Sequence, residues 1–443
     1  MLIVLTVMLN LTSFAQEIVS DSSQVYSLDK LKDYAVEHSY QVKNSELEIK
    51  RSKAVKWETT AIGLPQVNGQ INFQSFPLIP TTLLPGEMFG SPEQIPVQFG
   101  SKHNADWGVT VSQLVFSGEY IVGLRASKIY LELSKKAKEK SIIEVKESIE
   151  KTYYLILITK ESISALDSVY TSISILLSEN EKLYEAGFLE ETDIVQLRLN
   201  LKNTENSLIS FRKQKEILYR LLKFQSGIDY SQNIEISGTL NDAVEEIEVN
   251  NLFSEDFVIN QNIDYQLMQV QENLADLSLQ REKTTFLPSL SAFYSYKESF
   301  MNDSLNFFEE NAPWYGTSIW GLQLNIPIFS SGQRYSKVKQ AQFELEKKQN
   351  LKLQTEQALM LEIEQTKTDF LTDLNTVRNT SEQRHLAKKI YENSYKKFKI
   401  GTEPSFNLSR NQTQYFQTLT TYYQALNQLI DKHISLKRLM NQL

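Results

Sequence analysis

The segment "ASKIYLELSKKAKEKSIIEVKESIEKTYYLILITK", residues 126–160, lies in a stretch from Glu119 to Ser226 that has no proline and only two glycines, Gly123 and Gly187. Inside a helix a proline costs about 3 kcal/mol and a glycine about 1 kcal/mol. The stretch therefore predicts two long helices with one break at Gly187. The first, over about 118–185, would be on the order of 100 Å long at 1.5 Å per residue. Helices of globular proteins rarely reach such a length.

A row of mostly apolar residues recurs along the first helix in steps of three and four. They are Ile142, Val145, Ile149, Thr152, Ile156, Thr159, Ile163 and Leu166, and then, after a shortened step, Val169, Ile173, Leu176, Asn180 and Leu183. This alternation predicts a coiled-coil seam, and the short step predicts a local overwinding. The polar positions Thr152, Thr159 and Asn180 are candidates for fixing its register. By itself the stretch fits a filament or a spectrin-like bundle as well as it fits a membrane-associated tube.

Composition excludes several classes of function. The net charge of −8 argues against a nucleic-acid partner. The absence of cysteine excludes disulfides, thiolate metal sites and a cysteine nucleophile. The four histidines have no metal-ligand spacing, and neither a phosphate-binding glycine loop nor a nucleophile elbow occurs. The sequence therefore predicts no enzyme, no cofactor and no metal site.

The first fifteen residues, "MLIVLTVMLNLTSFA", are almost wholly apolar and end in a small-x-small site at Ser13-Phe14-Ala15. We predict a signal peptide over 1–15, cleaved between Ala15 and Gln16.

Proline divides the rest of the chain. Six of the ten prolines lie between Pro65 and Pro96, and three more lie at 288, 313 and 327. The two proline-bearing zones resemble each other, because "LPQVNGQINFQ" and "WGVTVSQLVFSG" in the first match "LPSLSAFYSYK" and "WGLQLNIPIFSSG" in the second. This predicts a tandem duplication with a period near 214. The first repeat covers 16–227, an irregular connector 228–254, and the second repeat 255–443.

Each repeat reads as helix, strand, loop, strand, long helix, tight turn and helix. The predicted helices are about 28–61, 118–185, 191–225, 255–285, 332–399 and 404–440. The predicted strands are about 65–75, 105–116, 288–297 and 317–329. The loops between strands cover about 76–104 and 298–314.

The predicted strands alternate apolar residues with uncharged polar ones over about ten positions, a pattern typical of transmembrane barrel strands. Aromatic residues near the strand ends suit the membrane interface; they are Trp107, Phe116, Trp320 and Phe329. A soluble amphipathic sheet fits each strand as well. Four strands cannot close a barrel, and an open edge in lipid is prohibitive, so several chains must share one. An open pore favours three chains and twelve strands over two chains and eight.

At this point the chain resembles the TolC-like outer-membrane efflux protein family. The resemblance is carried by the duplicated strand starts Leu64-Pro65 and Leu287-Pro288, the junctions "QLVFSG" and "IPIFSSG", and the turns "LYEAG" and "KFKIG". It implies a mainly α protein with a small β part. Three chains would form an antiparallel coiled-coil α-barrel in the periplasm and a shared β-barrel in the lipid of the cell outer membrane. It also implies a periplasmic adaptor and an inner-membrane transporter as partners.

The resemblance also assigns site residues. The Gly187 and Gly401 turns would form the periplasmic tip, where the adaptor contacts are Phe188, Leu189, Phe398, Thr402 and Glu403. The strand-to-helix junctions would hold Phe116, Gly118, Pro327, Phe329 and Gly332. The constriction would hold Asp193, Gln196, Asn407 and Arg410.

The constriction departs from the family pattern in its charges. The family carries aspartates six and nine residues beyond the second turn glycine, where this chain has Asn407 and Arg410. Glu403 and Phe398 replace the basic residue and the tyrosine of the family's gating network. We therefore hypothesise that Asp193, which matches the family pattern, pairs with Arg410.

The sequence favours a passive outer-membrane exit duct of a tripartite efflux pump. Two alternatives stay open. One is the outer-membrane component of type I protein secretion, and the other is a periplasmic coiled-coil scaffold without channel activity.

Overall fold

The computed structural model describes residues 24–90, 92–249 and 256–443. The predicted signal peptide and its cleavage site, Ala15 and Gln16, lie outside these residues. In chain order the elements are β1 (Gln24–Tyr26), α1 (Leu28–His38), α2 (Tyr40–Ala61), β2 (Gln66–Ser75), β3 (Thr81–Leu84), β4 (Ile95–Gln98), β5 (His103–Phe116), α3 (Gly118–Glu185), α4 (Glu191–Ser226), β6 (Ile234–Ile236), α5 (Leu240–Val249), α6 (Ile263–Thr284), β7 (Ser289–Asn302), β8 (Trp314–Asn325), α7 (Gln333–Lys399) and α8 (Ser405–Leu439). Short 3₁₀ helices occupy Gly86–Phe89 and Ile259–Gln261.

The two long helices are confirmed. α3 has 68 residues and α7 has 67, and each is followed by a tight turn and an antiparallel return helix. The absence of proline allows this length because every interior N–H can reach its carbonyl four residues back. Among the described residues, none of the helices combines the length and apolar character needed to cross a membrane.

Most of the predicted seam is buried. Val145, Ile149, Ile156, Val169 and Leu176 are each at most 4% exposed, whereas Leu183 near the turn is 46% exposed. The buried polar members do not bond across the seam. The hydroxyls of Thr152 and Thr159 donate to carbonyls four residues back, at 2.9 and 2.7 Å, and the Asn180 amide donates to the Leu176 carbonyl at 2.7 Å. Their hydrogen bonds therefore give no support to a register-fixing role.

The single helix predicted over 28–61 is wrong, because it breaks at Ser39. Ser39 has an extended backbone (φ −61°, ψ 140°) and caps both pieces. Its N–H donates to the Ala35 carbonyl at 2.9 Å, and its hydroxyl accepts from the Val42 N–H at 3.4 Å. The turn at Gly227 packs closely against this break, since a Cβ at Gly227 would lie 2.4 Å from the His38 carbonyl oxygen.

The connector over 228–254 is also more regular than predicted. Ile234–Ile236 forms a strand that pairs in parallel with Gln24–Tyr26, and Leu240–Val249 is a helix. The alternation Ile234-Glu235-Ile236 was the signal, because both isoleucines are buried and the glutamate is exposed. The connector thereby joins the equatorial core, the cluster of buried residues where α1, α3, α4 and α8 meet.

The main sheet has the order β2-β5-β7-β8 and is antiparallel throughout. One strand pair comes from each half of the chain, and β5 and β7 join the pairs. The register places Val67, Val111, Tyr294 and Trp320 in one row across the sheet. The row beside it, on the other face, holds Asn68, Thr110, Ser295 and Ile319.

Phe293 is an apolar residue on the polar face and has a specific partner. It lies opposite Gly321, and a Cβ at Gly321 would approach the Phe293 ring to 2.9 Å. The ring therefore covers the glycine of the neighbouring strand. The fourth strand ends at Asn325, four residues before the predicted end at 329. Asn325 pairs with Ser289, the first residue of β7, and Pro327 has no N–H to donate.

Two short strands were missed in the loop over 76–104. Thr81–Leu84 pairs with Ile95–Gln98 as an antiparallel ribbon beyond the ends of β2 and β5. Pro96 within the second strand made the segment read as a loop, but proline is tolerated in an edge strand.

The equatorial core contains a buried charge cluster. Glu150 is fully buried and forms ion pairs with Lys32 on α1 and with Lys437 on α8, the latter at 3.3 Å. His433 lies in the same cluster, is 1% exposed, and has no hydrogen-bond partner for either ring nitrogen. Burial, reinforced by the charge of Lys437, lowers the pKa of His433 to about 4. The histidine is therefore neutral at pH 7.

Candidate channel wall and tip

Both helical hairpins turn in the same way at their ends. Gly187 and Gly401 have φ of +80° and +74°, a conformation that favours glycine. In each turn the residue after the glycine donates its N–H five residues back, Phe188 to Leu183 at 2.9 Å and Thr402 to Lys397 at 3.0 Å. This is the Schellman arrangement that ends helices. Next to the glycines the tip exposes Phe188 and Ile400, which are 78% and 73% accessible.

Above the turns, a row of polar side chains joins α4 to α8. We call it the polar ladder; its members on α4 are Asp193, Gln196, Asn200 and Thr204, and those on α8 are Ser405, Ser409 and Gln412. The Ser405 hydroxyl donates to the Asp193 carboxylate. The Gln196 amide donates to the Ser409 hydroxyl at 2.9 Å, and this hydroxyl donates to the Asn200 side-chain oxygen at 3.0 Å. The Gln412 amide reaches the Thr204 hydroxyl at 3.4 Å.

The ladder is buried in the middle of an otherwise apolar contact. Asn200, Thr204, Ser405, Ser409 and Gln412 are all less than 10% exposed. Around them lies the tip core, which includes Ile173, Leu176, Leu197, Phe398 and Leu408. Hydrogen bonds in such surroundings are specific, because an unpaired buried polar group costs about 1–3 kcal/mol. The ladder therefore fixes which faces of α4 and α8 meet.

Five of the seven ladder positions were missed by the sequence analysis. The missed residues are Asn200, Thr204, Ser405, Ser409 and Gln412, and Gln196 was assigned only to the constriction. A signal was present, because steps of three and four separate the polar residues on both helices. Nothing in one helix shows which polar stripe faces solvent and which faces another helix.

The four predicted constriction residues do not come together within this chain. Asp193 and Gln196 belong to the ladder. Asn407 and Arg410 lie on the opposite side of α8 from Ser405, Ser409 and Gln412, because helix positions repeat every 3.6 residues. Arg410 is exposed and forms no ion pair in the part of the chain that the structure describes. The hypothesised Asp193–Arg410 pair is therefore absent within one chain.

The residues that depart from the family's gating pattern have other contacts. Glu403 accepts a hydrogen bond from the Ser394 hydroxyl at 2.8 Å. Phe398 is 6% exposed in the tip core, so it packs inside the tip and is not a surface contact. Close by, Tyr391 and Tyr415 stack with ring centroids 5.8 Å apart. Burial raises the pKa of both phenols, which keeps them neutral.

The helices and the sheet meet at tight junctions. A Cβ at Gly118 would lie 2.7 Å from the Thr284 side chain, so α3 and α6 approach closely where α3 begins. Phe116 ends β5 after a bulge in its pairing with β7. Pro327 and Phe329 lie in the irregular segment after β8, and Phe329 is 85% exposed. Gly332, with φ of +82°, caps the start of α7.

The main sheet exposes its apolar face. Val67, Ile71, Trp320 and Leu322 are 66%, 85%, 79% and 66% accessible in the single chain. On the polar face, side chains bind one another. The Asn72 amide donates a hydrogen bond to the Asp106 carboxylate at 2.9 Å, and Lys297 forms an ion pair with Asp106 at 3.4 Å. β2 and β8 are the outer strands of this sheet, so each has one edge without a partner strand in the described part of the chain.

Comparison with known proteins agrees with this architecture. Residues 258–442 match the family model described as outer membrane efflux protein. No curated protein matches the chain by sequence.

Solved structures match over nearly the whole chain. The CmeC outer membrane channel of Campylobacter jejuni is 18% identical with a TM-score of 0.74, over 94% of this chain and 85% of that one. The outer membrane protein VceC of Vibrio cholerae is 11% identical with a TM-score of 0.69, over 93% and 95%. The open state of the MtrE outer membrane channel of Neisseria gonorrhoeae is 12% identical with a TM-score of 0.67, over 94% and 90%. The chain therefore has the fold of the TolC-like outer membrane channels, and its residues 258–442 carry the sequence signature of the outer membrane efflux protein family.

Proposed function

We propose that the protein is the outer-membrane exit duct of a tripartite efflux pump. The observation that carries the proposal is the main sheet, which exposes an apolar face and leaves both outer strands unpaired. In water such a sheet is an aggregation hazard. In a membrane its apolar face contacts lipid, and its edges pair with the same sheet in neighbouring chains. The long helices then extend the duct into the periplasm.

The proposed assembly is a homotrimer. Edge pairing of β8 in one chain with β2 in the next closes a barrel of about twelve strands with three copies, and this leaves a water-filled lumen. The polar face, with Asn68, Thr110 and Ser295, lines that lumen. A barrel of about eight strands from two copies would be filled by its own side chains.

The tip is the proposed docking end for a periplasmic adaptor, which connects the duct to an inner-membrane transporter. Phe188 and Leu189 follow one turn, and Thr402 and Glu403 follow the other. Phe188 is an exposed apolar group that such a contact would bury. Energy for transport would come from the transporter, because a duct of this kind is passive.

Asn407 and Arg410 are proposed to line the constriction from the exposed side of α8, together with the residues of two further copies. A ring of arginines in place of carboxylates would weaken cation selectivity. Within the trimer, Arg410 could also pair with Asp193 of the next copy. The hypothesised pair would then form between two chains and not within one.

The test is electrical recording from the purified protein in a planar lipid bilayer. Discrete, long-lived conductance steps, with a trimer-sized band on an unheated gel, are the expected result. A protein that stays in solution without detergent and gives no conductance would overturn the proposal and favour a periplasmic scaffold. A partner search by cross-linking in cells would then separate efflux from protein secretion, through the type of transporter that is captured.

A further inference from the structure

Four helix ends meet where the helical part joins the main sheet. We call this zone the collar and define it as the last ten residues of α2 and α6 and the first ten of α3 and α7, namely 52–61, 275–284, 118–127 and 333–342. The Tyr120 hydroxyl on α3 donates to the Thr60 carbonyl on α2 at 3.2 Å. Gly118 contacts α6, and α6 runs beside α7. The collar is therefore one continuous surface at one end of the sheet.

The collar is basic in an acidic chain. It contains eight Lys and Arg against four Asp and Glu, whereas the whole sequence has 46 against 54. The eight are Lys53, Lys56, Arg125, Arg281, Lys283, Arg334, Lys337 and Lys339. Within the described residues, none of the eight forms an ion pair with a carboxylate. These charges are therefore available to an outside partner.

The other end of the sheet has the opposite charge. The segments 76–102 and 303–313, which connect the strands there, contain five acidic residues and one lysine. The apolar face of the sheet thus lies between an acidic end and a basic end.

Exposed aromatic residues accompany the cations. Trp57, Phe286 and Tyr335 are 65%, 50% and 62% accessible. Trp57 and Tyr335 each lie four residues from a lysine, Lys53 and Lys339, and so share a helix face with it. Phe286 follows the end of α6, three residues after Lys283. The Lys339 ammonium lies over the Tyr335 ring, 5.9 Å from its centroid. Tryptophan and tyrosine beside lysine are enriched at the boundary between lipid and water.

Two other occupants of this surface are disfavoured. A neighbouring copy adds its own basic collar beside this one and so cannot neutralise these charges. The aqueous lumen would leave three large aromatic side chains in water. An anionic lipid surface satisfies both groups, because phosphates attract the cations and the acyl boundary receives the rings.

We propose that the collar binds the anionic headgroups of phospholipids in the membrane leaflet that faces the helices. This inference rests on the proposed function, since it requires the main sheet to lie in the membrane. The contact would set the depth of the protein in the bilayer and would order the lipids around the duct. Such binding weakens with salt, because exposed charges are screened.

The experiment is native mass spectrometry of the detergent-purified full-length protein, titrated with dioleoyl phosphatidylglycerol or dioleoyl phosphatidylethanolamine. The collar variant combines Lys56→Gln, Lys283→Gln and Lys337→Gln. The matched control combines Lys389→Gln, Lys396→Gln and Lys397→Gln, which are exposed lysines at the opposite end of α7. Bilayer conductance of each protein is recorded in parallel, so that loss of the channel is distinguishable from loss of lipid binding.

We expect the unmodified protein and the control to retain phosphatidylglycerol in preference to phosphatidylethanolamine. The collar variant should lose at least about tenfold of that preference, since each lysine near an anionic surface contributes about fivefold. All three proteins should still conduct. Equal lipid preference in the collar and control variants would overturn the inference. A collar variant with changed ion selectivity but unchanged lipid preference would also overturn it, because the cations would then face the lumen.

Discussion

Removal of one hydroxyl from the polar ladder should loosen the tip. In the structure, Ser409 joins α4 to α8 through two hydrogen bonds, one accepted from Gln196 at 2.9 Å and one donated to Asn200 at 3.0 Å. Ser409→Ala removes both bonds without adding volume. The Asn200 oxygen then keeps only a weak contact with the Gln196 amide at 3.5 Å, in a place where its residue is 8% exposed.

The expected cost follows from that burial. A buried polar group left without its partner costs about 1–3 kcal/mol. If the loss falls on the contact between α4 and α8, the ratio of separated to joined tips rises about 5- to 150-fold. The change is large enough to be seen in single-channel records, which resolve small shifts in the time spent open.

Thr413→Ala is the matched control. Thr413 lies one turn further along α8, is exposed, and donates its hydroxyl to the Ser409 carbonyl of its own helix at 3.0 Å. In a planar bilayer, Ser409→Ala should raise the open fraction and Thr413→Ala should not. If the two variants conduct like the unmodified protein, the ladder does not hold the tip together and the reasoning is refuted.

Three further predictions concern the equatorial core and the collar. Glu150→Gln should lower the free energy of unfolding by about 3–5 kcal/mol, because it removes the buried carboxylate that pairs with Lys32 and Lys437. In the same urea titration, Glu181→Gln, which removes an exposed ion pair, should cost at most about 1 kcal/mol. Gly118→Ala should destabilise the protein by about 1–3 kcal/mol through overpacking. Gly123→Ala should instead stabilise α3, because the added Cβ would meet only an ordinary contact at 3.9 Å. Equal melting temperatures of the two variants would contradict this. The pKa of His433 is near 6.5 in the unfolded chain and about 4 in the folded chain. At 1.36 kcal/mol per pKa unit, about 3 kcal/mol of stability should therefore be lost as the pH falls through this window. His433→Leu should abolish that part of the pH dependence.

Much of the helical architecture could be predicted, because it depends on local rules. Proline and glycine act on the backbone of their own turn, so their positions mark the ends of α3 and α7. The break at Ser39 escaped these rules, since serine is tolerated in a helix and only the cap geometry shows the break. The strand over 234–236 was likewise visible as an alternation, but its partner lies more than 200 residues earlier in the chain.

The candidate site was predicted less well than the fold. The turn glycines were located, because only glycine takes a left-handed conformation without strain. The direction in which each polar side chain near these glycines points was not predicted. Asp193 and Arg410 were expected to pair, whereas Asp193 accepts from Ser405 and Arg410 points away from the ladder. A polar residue on a long helix has the same local pattern whether it faces water, a partner helix or a lumen.

The amino-acid sequence by itself therefore determined the lengths of the two long helices, the alternation in the strands and the position of both tip turns. Each of these depends on interactions within a few residues. Only the tertiary structure decided that β5 pairs with β7, that Glu150 meets lysines from α1 and α8, and that Ser409 lies between Gln196 and Asn200. These contacts join residues that are more than a hundred positions apart, and their selection depends on how whole surfaces pack, which no local pattern encodes.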